Sequence, residues 1–214
     1  MGEPVAFGVG FLVFLLVCFS AVLARYPITL AHEGGHMFAN LATLRGNKSW
    51  KLKDDADGAT EAVSPGNWLQ RLIVTFVGYP APPLLGLGAA ALIDAGNPWA
   101  VLLGTVFLSV LAVALSTKGL AFLIPALIAI GVAWALLAGS ASVQAAVAVG
   151  IAWWLLLGGL LRIIRVLGGS SDATRLAEMT FIPKFVWSLV WLFIGVVSLI
   201  VGGQLLLRPG YGIG

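Results

Sequence analysis

The sequence predicts an all-α polytopic membrane protein, and three observations carry that prediction. Hydrophobic residues make up 60% of the 214-residue chain and charged residues only 10%, against roughly 25% charged in soluble domains. The apolar residues fall in runs of about 20, the length a helix needs to cross the hydrocarbon core. Only one loop, residues 45–66, is long and polar, so no soluble domain is expected and residues 1–214 read as one integral membrane domain.

About seven membrane segments can be drawn on this pattern. The first, 4–24, ends at Arg25-Tyr26-Pro27, where Pro27 suits the first turn of a new helix. Val22-Leu23-Ala24 resembles a signal-peptide cleavage site, but residues 1–4 carry no Lys or Arg and Glu3 is acidic, so a retained span is expected. Cys18, the single cysteine, excludes an internal disulfide and reads as a small buried hydrophobe. The second segment, 28–44, is the least apolar, as expected if its polar residues face a bundle interior. The count becomes six if the first two segments act as one broken unit.

The third segment, 68–93, is interrupted by Gly78-Tyr79-Pro80-Ala81-Pro82-Pro83. This reads as a proline kink with Tyr79 hydrogen-bonded in the core, the alternative being a widened gate or a place for Tyr79 near a metal. Segments 98–115, 119–138, 142–165 and 180–207 follow, with a second break at Thr180-Phe181-Ile182-Pro183. Trp153, Trp154, Trp187 and Trp191 read as lipid-facing or interfacial aromatics, and Arg162 and Arg165 as cations snorkelling to headgroups.

The loop at 45–66 alternates at Ser49-Trp50-Lys51-Leu52-Lys53, turns at Asp57-Gly58, and can return through Ala59–Val63, so a β-hairpin is favoured over an irregular loop. Basic residues set the orientation. With the N-terminus cytoplasmic, Arg45, Lys48, Lys51, Lys53, Arg71, Lys118, Arg162, Arg165, Arg175 and Lys184 fall inside, and only Arg25 and Arg208 outside. The net charge of +3 is accounted for this way and is no nucleic-acid signal. The plasma membrane is the expected location, and the sequence leaves the oligomeric state open.

Chemistry is concentrated in Ala31-His32-Glu33-Gly34-Gly35-His36-Met37, which holds both histidines of the chain. Residues four apart on a helix stack one turn above the other, so His32 and His36 present imidazoles to a common point. Two such imidazoles make half of a tetrahedral zinc site, and the intervening Glu33 can act as base on a metal-bound water. Ionisable groups inside a membrane are costly, so three on one turn argue for function over chance or an interhelical hydrogen bond. Hydrolysis of a peptide bond within the bilayer is the reaction this arrangement suggests.

An open zinc site needs a third protein ligand. With no histidine left, a carboxylate must supply it, and elimination among the nine acidic residues leaves Asp172 and Glu178. Asp172 follows the inward-running segment 142–165 after a Gly-Gly break, on the cytoplasmic side with the histidines, and is the expected ligand. It also reads as a helix N-cap, a role compatible with ligation. Glu178 is expected to pair with Arg175 or face the surface. The metal-site core therefore spans about 28–93 and 142–190.

His-Glu-Gly-Gly-His in a span, a short polar loop, and a distant aspartate near the cytoplasmic end of a later span resemble the site-2 protease family of intramembrane zinc metalloproteases. The resemblance covers residues 28 to about 190, and the small, divergent site-2-protease-like branch is nearest. One element departs: Ser171-Asp172-Ala173 stands where the family has Asn-Pro-Asp-Gly or Leu-Asp-Gly. The resemblance implies His32, His36 and Asp172 as ligands of Zn²⁺, Glu33 as general base, and a single-span membrane protein as substrate, cut near the cytoplasmic face. The competing reading is a non-proteolytic zinc-binding scaffold or a metal transporter.

Overall fold

The structure is a computed structural model that describes residues 3–19, 25–52, 57–116 and 119–208. Val22-Leu23-Ala24, Lys53, Asp54, Asp55, Lys118 and the side chain of Glu3 lie outside the described residues. The elements in chain order are α1 (Glu3–Phe19), α2 (Arg25–Ala42), β1 (Asn47–Leu52), β2 (Gly58–Ala62), α3 (Trp68–Val77), α4 (Ala81–Asp94), α5 (Pro98–Leu115), α6 (Leu120–Ala138), α7 (Ala141–Arg165), α8 (Ser171–Thr180) and α9 (Lys184–Leu206).

The expected class holds, but the expected count of about seven spans is corrected. Among the described residues, four helices are long and apolar enough to cross a membrane, α5, α6, α7 and α9. A fifth arises if α3 and α4 form one span, bent by 63° at their junction. The reasons are physical. α1 is apolar but short, α2 carries too many polar groups, and the Pro80, Pro82 and Pro83 cluster breaks the third segment. The spans bury only 22–39% of their apolar windows inside the protein. Phe107, Trp134, Leu137 and Phe193 accordingly point outward, where lipid is the solvent.

Local signals start and stop the elements around the site. Asn67 opens α3 with a capping box, its side chain accepting from Gln70 N while Gln70 bonds back to the Asn67 amide. Ser170 caps α8 by accepting from Ala173 N at 3.1 Å. α8 ends where Phe181 adopts a left-handed φ of 60°, and Pro183 precedes α9. The break expected at 180–183 is therefore real, with a separate short helix ahead of it.

The hairpin expected in the polar loop forms as β1 paired antiparallel with β2, with Trp50 opposite Thr60 and Leu52 opposite Gly58. Its outer face carries Lys48 and Glu61, 3.0 Å apart, and the ammonium holds that carboxyl below the usual range. Two side-chain anchors dock it. Trp50 is fully buried and its indole N–H donates to Ala112 O on α5 at 2.7 Å. Asn47 donates to Met37 O and accepts from the buried Asn40 of α2.

Behind the hairpin, α4 packs chiefly on α7 and α9, α1 lies against α7, and α5 pairs with α6. The largest apolar cluster runs through Ala90, Leu102, Ala152, Leu156 and Leu206. An apolar cavity of about 1000 Å³ lies between α2, α4, α5, α6 and α7, bordered on α2 by Leu30, Ala31, Gly34 and Phe38. At 100° per residue those positions face away from His32 and His36.

Candidate metal centre

His32 and His36 stack on successive turns of α2 as their spacing predicts, with Nε2 atoms 3.2 Å apart. Asp172, in the first turn of α8, brings Oδ2 to 3.3 Å from His32 Nε2 and 3.4 Å from His36 Nε2. The helix start expected at 170–172 exists, but Ser170 performs the capping, which leaves the Asp172 carboxylate free to face the histidines. His32, Glu33 and Asp172 are all buried.

Three such atoms fit a cation. Ligands about 2.0–2.2 Å from a tetrahedral ion stand about 3.3–3.6 Å from each other, and the three separations lie at the lower end of that edge length or 0.1 Å below it. The donor set, two imidazoles and one carboxylate, is one that zinc accepts with a fourth position open. Among the described residues it is the one group of three His, Cys, Asp or Glu side chains close enough to hold a metal ion. No other described acid joins this group: Asp94 pairs with Arg208 at 3.6 Å, Glu61 pairs with Lys48, and Asp57 and Glu178 are exposed.

The protein around the cluster sets its orientation. His36 Nδ1–H donates to Val74 O on α3 at 2.7 Å. A carbonyl only accepts, so this bond puts the proton on Nδ1 and leaves Nε2 with its lone pair, as a metal ligand requires. Gly78, at the α3–α4 bend, lies against both rings. A Cβ there would stand 2.5 Å from His36 Cε1 and 2.8 Å from His32 Cε1, so only glycine fits.

Tyr79 follows, edge-on to the His32 ring at 4.6 Å between centroids and stacked on Trp191 at 4.5 Å. The proline kink and a place for Tyr79 beside the histidines are therefore both present. Trp191 is fully buried and donates to Phe76 O at 3.1 Å, correcting its expected lipid-facing role, and Trp153 is buried too. Arg162 does not snorkel: it donates to Thr29 Oγ at 2.7 Å, with its guanidinium 5.8 Å from the Tyr79 ring centre.

Glu33 projects from α2 toward the hairpin. Its Oε2 accepts from Thr60 Oγ on β2 at 2.6 Å, and Gly58 lies against the same carboxylate. The two histidines and Asp172, singled out in the sequence, stand together here; the sequence did not place Thr60, Gly58, Gly78 or the Val74 carbonyl beside them. Strand parity puts Thr60 on the face of Gly58, and the docking of the hairpin decides that this face meets α2.

No curated protein and no solved structure matches the chain. The family model described as Peptidase M50B-like does match, over residues 5–202. The chain therefore belongs to the Peptidase M50B-like family, a site-2 protease family.

Proposed function

We propose that this protein is an intramembrane zinc metalloprotease that hydrolyses a peptide bond of a membrane-spanning substrate near the cytoplasmic face. The observation that carries the reading is the set of three separations, 3.2, 3.3 and 3.4 Å, among His32 Nε2, His36 Nε2 and Asp172 Oδ2. In this reading His32, His36 and Asp172 hold the metal and Glu33 is the general base. Zinc, when bound, supplies a Lewis acid that polarises the scissile carbonyl and makes water a stronger acid.

The protein's own groups do the rest. Glu33, one residue from His32 on the same turn, takes the proton of the attacking water and hands it to the leaving amine. The His36–Val74 bond keeps Nε2 free as a donor to the metal. The hairpin offers β2 as an edge on which an unwound substrate segment can add as a strand, exposing its peptide bonds.

Transport is disfavoured by the large cavity. Its lining has no carboxylate, thiol or imidazole, with Thr105 and Ser109 its most polar side chains, whereas a metal pathway needs successive ligands. Orientation, with the hairpin and site cytoplasmic, rests on the basic residues. Cysteines introduced at the exposed positions Ser64 and Ala95 in a Cys18→Ser background test it. Position 64 should react with an impermeant maleimide from the cytoplasmic side and position 95 from the other, and the reverse pattern inverts the topology.

Catalysis is tested by cleavage of a panel of single-span substrates by wild type and Glu33→Gln. The variant should keep its zinc and lose on the order of 10²–10⁴-fold in rate, the usual contribution of a general base. A zinc-loaded wild type that cuts none of the panel would favour the scaffold.

A further inference from the structure

We propose that Thr60 is a positioning residue for Glu33, so that the hairpin sets the orientation of the catalytic base. The role of Glu33 as base rests on the peptidase reading above; the contact between the two residues does not. Thr60 Oγ stands 2.6 Å from Glu33 Oε2 and 3.5 Å from the Glu33 backbone oxygen, so the hydroxyl spans the residue from main chain to carboxylate. Two residues earlier on the same face of β2, Gly58 closes on the carboxylate from another side. A Cβ there would stand 2.5 Å from Glu33 Oε1 and 2.6 Å from Cγ, so β2 lies at backbone contact with the base.

A glutamate has three rotatable bonds, and a base works only within hydrogen-bond reach of the proton it takes. The hydroxyl of Thr60 and the backbone at Gly58 together remove that freedom. Both belong to β2, which in the described residues pairs with β1 alone and has no second strand partner. A peptide adding to the outer edge of β2 would therefore bear on the strand that holds Glu33. Substrate docking and alignment of the base are then one event.

The test uses the full-length protein in detergent, with zinc content measured for each variant. Thr60→Val removes the donor at nearly constant shape, and Thr60→Ser retains it. The valine variant should keep zinc and KM while kcat falls on the order of 10- to 100-fold, the scale of a misaligned catalytic group. The serine variant should recover most of that loss. In parallel, the infrared carboxylate band of Glu33, identified by its absence from Glu33→Gln, should shift in Thr60→Val and not in Thr60→Ser.

An unshifted band overturns the proposal, as does a valine variant with wild-type kcat. A change in KM alone does so too, because it would assign Thr60 to the substrate instead of the base. If wild type cleaves nothing, it is the peptidase reading that fails, and the infrared comparison alone decides whether Thr60 holds Glu33.

Discussion

His36 illustrates how much of the site is decided by single atoms. One ring nitrogen is bound to the Val74 carbonyl at 2.7 Å, the other faces His32 and Asp172, and the ring is wedged against Gly78. Gly78→Ala is the sharpest test of that wedge. Its Cβ would meet the edges of both imidazoles, so one ring or the α3–α4 bend must shift. Metal ligation tolerates little error in distance, about ±0.2 Å, and the variant should lose most of its bound zinc while remaining folded by circular dichroism. Full zinc occupancy in Gly78→Ala would show that the bend does not constrain the ligands. The histidines and Glu33 were legible in the sequence because helix geometry fixes i and i+4 partners without reference to the rest of the chain. Asp172 was legible by elimination. Gly78, Thr60 and the Val74 carbonyl were not, because their roles arise where separate elements meet.

Among the elements, α3 is the hub of the site, and three indoles tie the surrounding pieces together. Trp68 at its start donates to Met179 O at the end of α8, at 2.9 Å. Trp191 of α9 donates to Phe76 O near the other end of α3 and stacks on Tyr79. Trp50 does the same work for the hairpin on α5. Trp191→Ala removes a fully buried side chain with its hydrogen bond, and should cost about 3–5 kcal/mol of stability. Denaturation in mild detergent reads this directly, and a loss below about 1 kcal/mol would mean the cluster under Tyr79 contributes little. Segment boundaries were legible because hydropathy and proline mark them: α5 matches its expected range and α7 differs by one residue at its start. The inward facing of Trp191 and Arg162 was not. Tryptophan and arginine near span ends are equally at home at an interface, and only the packing of α9 and α7 on the bend chooses between the two.

At the scale of the whole molecule, the fold is a device for bringing α2 and α8 together across the 128 residues between them, 43–170. α7 delivers the chain to the end of the bundle where α8 begins. The α3–α4 bend opens a place between α2 and α9 for Tyr79, and the hairpin closes over Glu33. The class was legible from composition, while the number of spans was overestimated, because short or polar apolar runs and a 63° break look like full spans in a hydropathy reading. In the proposed reading, a metal held by His32, His36 and Asp172 joins these parts functionally. The most direct test is the zinc content of the purified, intact protein in wild type, Glu33→Gln and Asp172→Ala. About one zinc per chain is expected in the first two and a sharp loss in Asp172→Ala, since three protein ligands are needed for an open site. Unchanged occupancy in Asp172→Ala, or no zinc in wild type under any loading condition, would contradict it.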